Sequence, residues 1–165
     1  MDCLLFRHGI ACDSKDWQGS DQDRPLTEKG RLRARQSSKG LLALGLIPTH
    51  ILSSPLTRAR ETAKILQSVI PSAPPLRICP ELKPEVAPRA LMSLLDKLPS
   101  DAVVVCVGHE PHLSTTAGIL LTGKLCNGLS LKKAGACLLH CEGSVRPSGG
   151  RLEWWLTASQ LRALA

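Results

Sequence analysis

The sequence predicts an α/β fold, a three-layer α/β/α sandwich around a mostly parallel sheet. Three observations carry that expectation. Short apolar runs alternate with longer segments of helical spacing along the chain. One run, Ala102 to Val107, is continuous and rich in valine, as a central strand covered on both faces requires. The length, 165 residues, suits a single domain spanning 1–165.

The elements follow in order. Leu4 to Phe6 reads as a buried strand that ends at Arg7-His8-Gly9. Residues 11 to 25 are polar and read as a surface loop. A helix is predicted from Thr27 to about Leu44, with Arg31, Arg33, Arg35 and Lys39 outward and Leu32, Leu41 and Leu42 inward. Gly45 suits its stop. His50 to Ser53 is a second strand, broken by Ser54-Pro55. Leu56 to Val69 has helical spacing, since Leu56, Ala59, Ala63, Leu66 and Ile70 fall on one side. Pro71, Pro74 and Pro75 end that helix. Arg77 to Cys79 is a brief strand, residues 80 to 88 a proline-rich loop, and Arg89 to Leu98 a helix that turns Leu91, Leu94, Leu95 and Leu98 inward. After the Ala102 to Val107 strand comes the loop Gly108-His109-Glu110-Pro111, then a helix from His112 to Leu121. Leu131 to Cys141 and Arg151 to Leu156 read as two late strands, and Ala158 to Leu164 as a closing helix.

Composition narrows the function. The net charge is +7, which suits an anionic partner. Aromatic residues make up only 2 %, too few for the stacking platforms of single-stranded nucleic-acid binders, and nucleic acid is not expected as a partner. No apolar run approaches the roughly 20 residues of a membrane span. Seven cysteines are scattered without a CxxC pair, and no basic leader precedes Arg7, so a cytoplasmic location is the expectation. Cys137, His140 and Cys141 invite a metal reading, but on a strand His140 points away from both cysteines.

Ligands of open α/β sheets bind beyond the carboxyl ends of the strands. Three such ends here carry polar clusters: Arg7-His8-Gly9, Ser53-Ser54-Pro55 with Arg58, and Gly108-His109-Glu110. Taken singly, each residue has an ordinary structural role. Glu61 is spaced for an ion pair with Arg58 or Lys64, and His50, His112 and His140 read as structural. Together the clusters match the needs of phosphoryl transfer without a metal. An unprotonated imidazole, His8, serves as nucleophile, and a second, His109, hydrogen-bonds the phosphoryl group. Arg7, Arg58 and Arg24 supply the planar donors that grip phosphate oxygens. Gly9 is expected to let backbone approach the substrate.

Four blocks in order carry a resemblance: Leu5-Phe6-Arg7-His8-Gly9; Asp23-Arg24-Pro25-Leu26-Thr27 leading to Gly30; Ser53-Ser54-Pro55-Leu56 with Arg58-Ala59 and Glu61-Thr62-Ala63; and Val105 to Pro111. The chain resembles the histidine phosphatase superfamily, and within it the short phosphohistidine phosphatases of the SixA type, over residues 4 to about 121. The resemblance implies the phosphoglycerate mutase-like fold without a large cap insertion. It implies that His8 is the phosphorylated nucleophile, that Arg7, Arg58 and His109 complete the phosphate pocket, and that Arg24 is a further anion contact. It implies no cofactor and no metal. Glu81 and Glu110 are the carboxylates near where a proton donor would stand.

The expected function is removal of phosphate from phosphohistidine in a protein, such as a phosphotransfer domain of a signalling relay. The alternatives are a small-molecule phosphomonoester phosphatase of the same superfamily and a non-catalytic phosphate-binding module. The sequence sets no oligomeric state.

Overall fold

The computed structural model describes residues 1–165. Six strands form one sheet: β1 (Asp2–Arg7), β2 (His50–Ser53), β3 (Leu76–Ile78), β4 (Val103–Gly108), β5 (Ala136–Cys141) and β6 (Gly150–Leu156), in the order β3-β2-β4-β1-β5-β6. The β3-β2, β2-β4 and β4-β1 pairs are parallel, and β5 and β6 are added antiparallel. The valine-rich strand β4 lies inside the parallel part, as its continuous apolar run requires.

Five helices cover the two faces: α1 (Glu28–Ala43), α2 (Thr57–Val69), α3 (Pro88–Leu95), α4 (His112–Thr122) and α5 (Ala158–Ala163). Strand alternation separates two cores. Leu4, Phe6, Ile51, Val105 and Val107 face α1, α2 and α5, where Leu41, Ala59, Leu66 and Leu161 meet them. Cys3, Leu5, Leu52, Val104 and Cys106 face α3 and α4, against Leu91, Leu95, Leu113 and Leu120. No helix is long and apolar enough to cross a membrane.

The sequence expectations are corrected at four places. Leu32 was expected inward and is 58 % exposed. The buried face of α1 runs through Gly30, Ala34, Ser37, Ser38, Gly40 and Leu41, all but the last small enough to bring the helix close to its neighbours, and Leu32 lies off that stripe. Helix α3 ends at Leu95 rather than Leu98, because the amides of Lys97 and Leu98 bond back only three residues, a tightening ahead of Pro99. Leu131 to Gly135 is not strand. Ala134 takes a left-handed conformation (φ +57°), and Gly135 N donates to Lys132 O at 2.8 Å, which makes a turn before β5. Glu61 pairs with neither Arg58 nor Lys64. It binds Arg31 at 2.9 Å and accepts from the amide of Leu26 at 2.8 Å, tying α2 to α1 and to the end of the polar loop.

Candidate active site

The register of the parallel strands brings the polar clusters together. Arg7 pairs with Gly108 across β1 and β4, and Ser53 with Val107 across β2 and β4. The next residues continue the ladder: His8 N donates to Gly108 O and Ser54 N to Val107 O, both at 3.0 Å. His8, His109 and Ser54 therefore leave three adjacent strands side by side. The rings of His8 and His109 lie 5.0 Å apart between centroids.

His8 is 7 % exposed. Its Nδ1 lies 2.7 Å from the carbonyl oxygen of Gly9. A carbonyl only accepts, so Nδ1 carries the proton and Nε2 presents a lone pair. Burial pushes the His8 pKa down to about 3. The bond to Gly9 opposes this, while the positive charges of Arg58, Arg7 and Lys133 add to it. His109 is pushed down to about 2 by burial first, then by its neighbours His8, Arg58, His112 and Arg7. Both imidazoles are neutral at neutral pH.

Three buried donor or acceptor atoms here have no partner in the protein: Arg7 Nε, Arg58 Nε and His109 Nδ1. Buried polar atoms are rarely left unpaired, and an anion seated against these three side chains would satisfy them. The other atoms of the same side chains are held. Arg7 donates to Leu131 O at 2.6 Å, and His109 Nε2 is 2.9 Å from Ser54 Oγ. Arg58, in the first turn of α2, donates to the backbone oxygen of Asp21 at 2.8 Å and to its carboxylate at 3.1 Å. Burial lowers the pKa of both Arg7 and Arg58, against the pull of Glu110 and of Asp21 respectively. An arginine so lowered still carries its charge.

Arg24 reaches this group through an intermediary. It binds the Asp21 carboxylate through Nε at 2.9 Å and donates to Cys12 O at 2.6 Å. Asp21 thus joins Arg24 to Arg58. Burial works against the charge of Asp21, but the bonds and charges of the two arginines outweigh it and hold the carboxyl below its ordinary value.

Gly9 is held on both sides by the protein. Its amide donates to Thr62 Oγ1 at 3.0 Å, and its carbonyl holds His8. A Cβ there would meet Gly30 O at 3.0 Å and Leu26 Cδ2 at 3.3 Å. The missing side chain makes room for α1.

Sequence reasoning did not single out Asp21, Thr62, Ser54 or Lys133 as partners of the site. Ser54 was visible as part of a polar strand end. Asp21 lies in a loop with no periodicity to place it. His112, read as structural, is buried near His109 with neither ring nitrogen bonded. Glu110 accepts from the amide of Ser114 at 3.2 Å, and Glu81 is half-buried in a 3-10 turn. His140 bonds Asp2 at 2.7 Å, on the side of β5 opposite Cys137 and Cys141.

Imidazoles and arginines gathered at the carboxyl ends of parallel strands define an α/β protein of the open-sheet class, whose ligands bind beyond those ends. The chain belongs to the histidine phosphatase superfamily: the model of its branch 1 matches residues 3–84. An uncharacterized protein of Picosynechococcus sp. is 41 % identical over 141 residues, which cover 82 % of each chain. The fold is similar to that of the protein histidine phosphatase SixA complexed with tungstate, with a TM-score of 0.86 and 22 % identity over 98 % of this chain and 99 % of that one. It is also similar to a mycobacterial glucosyl-3-phosphoglycerate phosphatase, with a TM-score of 0.75 and 19 % identity over 94 % of this chain and 99 % of that one.

Proposed function

We propose that the chain is a metal-independent phosphatase that forms a phosphohistidine intermediate on His8 and acts on phosphohistidine carried by a protein. One observation carries the reading. His8 is held as a neutral Nδ1–H imidazole with Nε2 free, among arginines with unpaired buried N–H groups. The Nε2 lone pair attacks phosphorus, the bond from phosphorus to the substrate breaks, and the leaving atom takes a proton. Water then cleaves the phosphorus–nitrogen bond on His8, giving inorganic phosphate and the starting imidazole. Arg7 and Arg58 stabilise the non-bridging oxygens, and His109 hydrogen-bonds the same group.

The substrate class is supported by the short segment between β3 and β4. It holds only a 3-10 turn at Pro80–Leu82 and the eight residues of α3, so no large helical cap is inserted there. A site without such a cap suits a phosphohistidine carried on a protein surface. An imidazole leaving group also needs less help from an acid than an alkoxide does. The likeness in fold to SixA adds support. A small phosphomonoester is the second reading, favoured by the likeness to the glucosyl-3-phosphoglycerate phosphatase.

The test is a panel containing a phosphohistidine protein and small esters, run in a chelator with wild type and His8→Ala. Turnover of the phosphoprotein that vanishes in His8→Ala is expected. Turnover of small esters alone would move the assignment to the second reading. Activity that survived in His8→Ala would remove His8 from the chemistry, and binding of phosphate without turnover would leave a non-catalytic module.

A further inference from the structure

Beside the imidazoles the molecule has a second concentration of charge. A cavity of about 610 Å³ is lined by Arg7, Arg33, Lys132, Lys133 and Arg162, and no carboxylate lines it. Arg33, Lys132, Lys133 and Arg162 make no ion pair with any carboxylate of the chain.

The cations come from four parts of the chain, the end of β1, α1, the turn before β5, and α5, and local contacts hold them in place. The amide of Ala134 donates to the carbonyls of Arg7 and His8 at 3.2 and 3.1 Å, which anchors Lys132 and Lys133 beside the β1 end. Helix α1 packs on α5 at Gly40, where a Cβ would meet Leu161 O at 1.9 Å, and this brings Arg33 and Arg162 to the same wall. Like charges gathered in a concavity repel one another and focus a field that attracts anions. Only Ile10 and Ala158 are apolar among the lining residues, so the cavity does not suit an apolar ligand. Arg7 belongs both to this wall and to the nucleophile's surroundings, and the charge of Lys133 is felt at His8.

We propose that this cavity is a second anion subsite, which takes a phosphate or carboxylate group that the substrate carries beside the phosphoryl group delivered to His8. The inference rests on the reading of His8 as nucleophile. A substrate anchored at a remote charge arrives with its phosphoryl group aligned, so the subsite raises kcat/KM for substrates with two anionic groups.

The experiment compares an alkyl bisphosphate with the matching alkyl monophosphate, on wild type and on Arg33→Ser/Lys132→Ser/Arg162→Ser. Wild type is expected to favour the bisphosphate in kcat/KM by about tenfold, and the variant to lose that preference. A phosphohistidine protein with acidic residues around the modified side chain is the second arm. A loss confined to the bisphosphate assigns the subsite to a phosphate on a small substrate. A loss confined to the phosphoprotein assigns it to carboxylates of a protein substrate. Binding of inorganic tripolyphosphate to the same triple substitution made in His8→Ala, measured by calorimetry, reads the subsite without turnover. If nothing is hydrolysed but tripolyphosphate still binds more weakly than to His8→Ala, the His8 reading fails and the subsite stands. Equal preference in wild type and variant, with equal tripolyphosphate affinity, overturns the subsite.

Discussion

The Nδ1 atom of His8 donates to the carbonyl oxygen of Gly9 at 2.7 Å, and this bond decides which ring nitrogen keeps a free lone pair. With the proton fixed on Nδ1, the lone pair sits on Nε2. Burial and three nearby cations keep the ring from gaining a second proton. His8→Ala is therefore expected to lower kcat/KM by about a thousandfold or more. The checking measurement is trapping of a phosphoenzyme at alkaline pH. Mass spectrometry should place the phosphate on His8 in wild type and find none in the variant.

Both imidazoles should show their neutrality by titration. With pKa values of about 3 and about 2, the His8 and His109 rings are expected to keep neutral NMR shifts from pH 8 down to pH 5. The stability consequence has a definite sign. Between the ordinary value of 6.5 and the folded value, the unfolded chain binds protons that the folded chain does not. The contribution is complete above pH 6.5 and is lost as pH falls toward about 3. Denaturant titrations are expected to show a loss of roughly 2–5 kcal/mol across that window. The loss should shrink in His8→Gln. An unchanged slope in that variant would assign it to other groups.

Asp21 couples two arginines and sets a negative charge beside them. Its carboxylate is 59 % exposed, while the side chains of Arg24 and Arg58 are 18 % and 7 % exposed. Asp21→Asn keeps the backbone oxygen that Arg58 uses and removes the competing charge. The KM for a phosphorylated substrate is expected to fall by about two- to fivefold, with little change in kcat. Arg24→Ala, which removes a positive charge from the same group, is expected to raise KM by a similar factor. Steady-state kinetics on both variants checks the opposite signs. A rise in KM for Asp21→Asn would mean that its carboxylate serves to align Arg58.

What the sequence made legible follows from periodicity. Strand ends and helix starts follow from apolar spacing, and so the sequence alone sets His8 and His109 at strand ends and Arg58 at the start of the helix after another. The central strand was legible because six consecutive apolar residues leave few other readings. Less legible was anything set by contacts distant in the chain. Leu32 looked inward by type, yet the buried stripe of α1 runs through Gly30, Ala34, Ser37, Ser38, Gly40 and Leu41, and Leu32 lies off it. Glu61 had partners at helical spacing, but the chain folds Arg31 and the Leu26 amide onto it from outside α2. Asp21 sits in a loop whose position depends on the arginines it binds. Leu131 to Gly135 runs straight into the apolar segment Ala136 to Cys141, and the left-handed Ala134 could not be read from an alanine.

Gly9 offers a test of whether its missing side chain serves the placing of His8 or contact with substrate. A Cβ at this position meets the carbonyl oxygen of Gly30 at 3.0 Å and Leu26 Cδ2 at 3.3 Å, so α1 and the His8 loop must move apart by a few tenths of an ångström. That shift falls on the residue whose carbonyl sets the His8 tautomer and whose amide is tied to Thr62. Gly9→Ala is expected to cost about 1–2 kcal/mol of stability and, because a misplaced nucleophile loses rate steeply, to lower kcat by about tenfold with little change in KM. Gly30→Ala provides the contrast. Its Cβ would lie 2.0 Å from Ile10 O, a backbone atom that cannot rotate away, so it should destabilise the fold by more than Gly9→Ala does. Thermal melts run beside kinetics check the pair. If Gly9→Ala raised KM and left kcat intact, the missing side chain would make room for substrate rather than for α1.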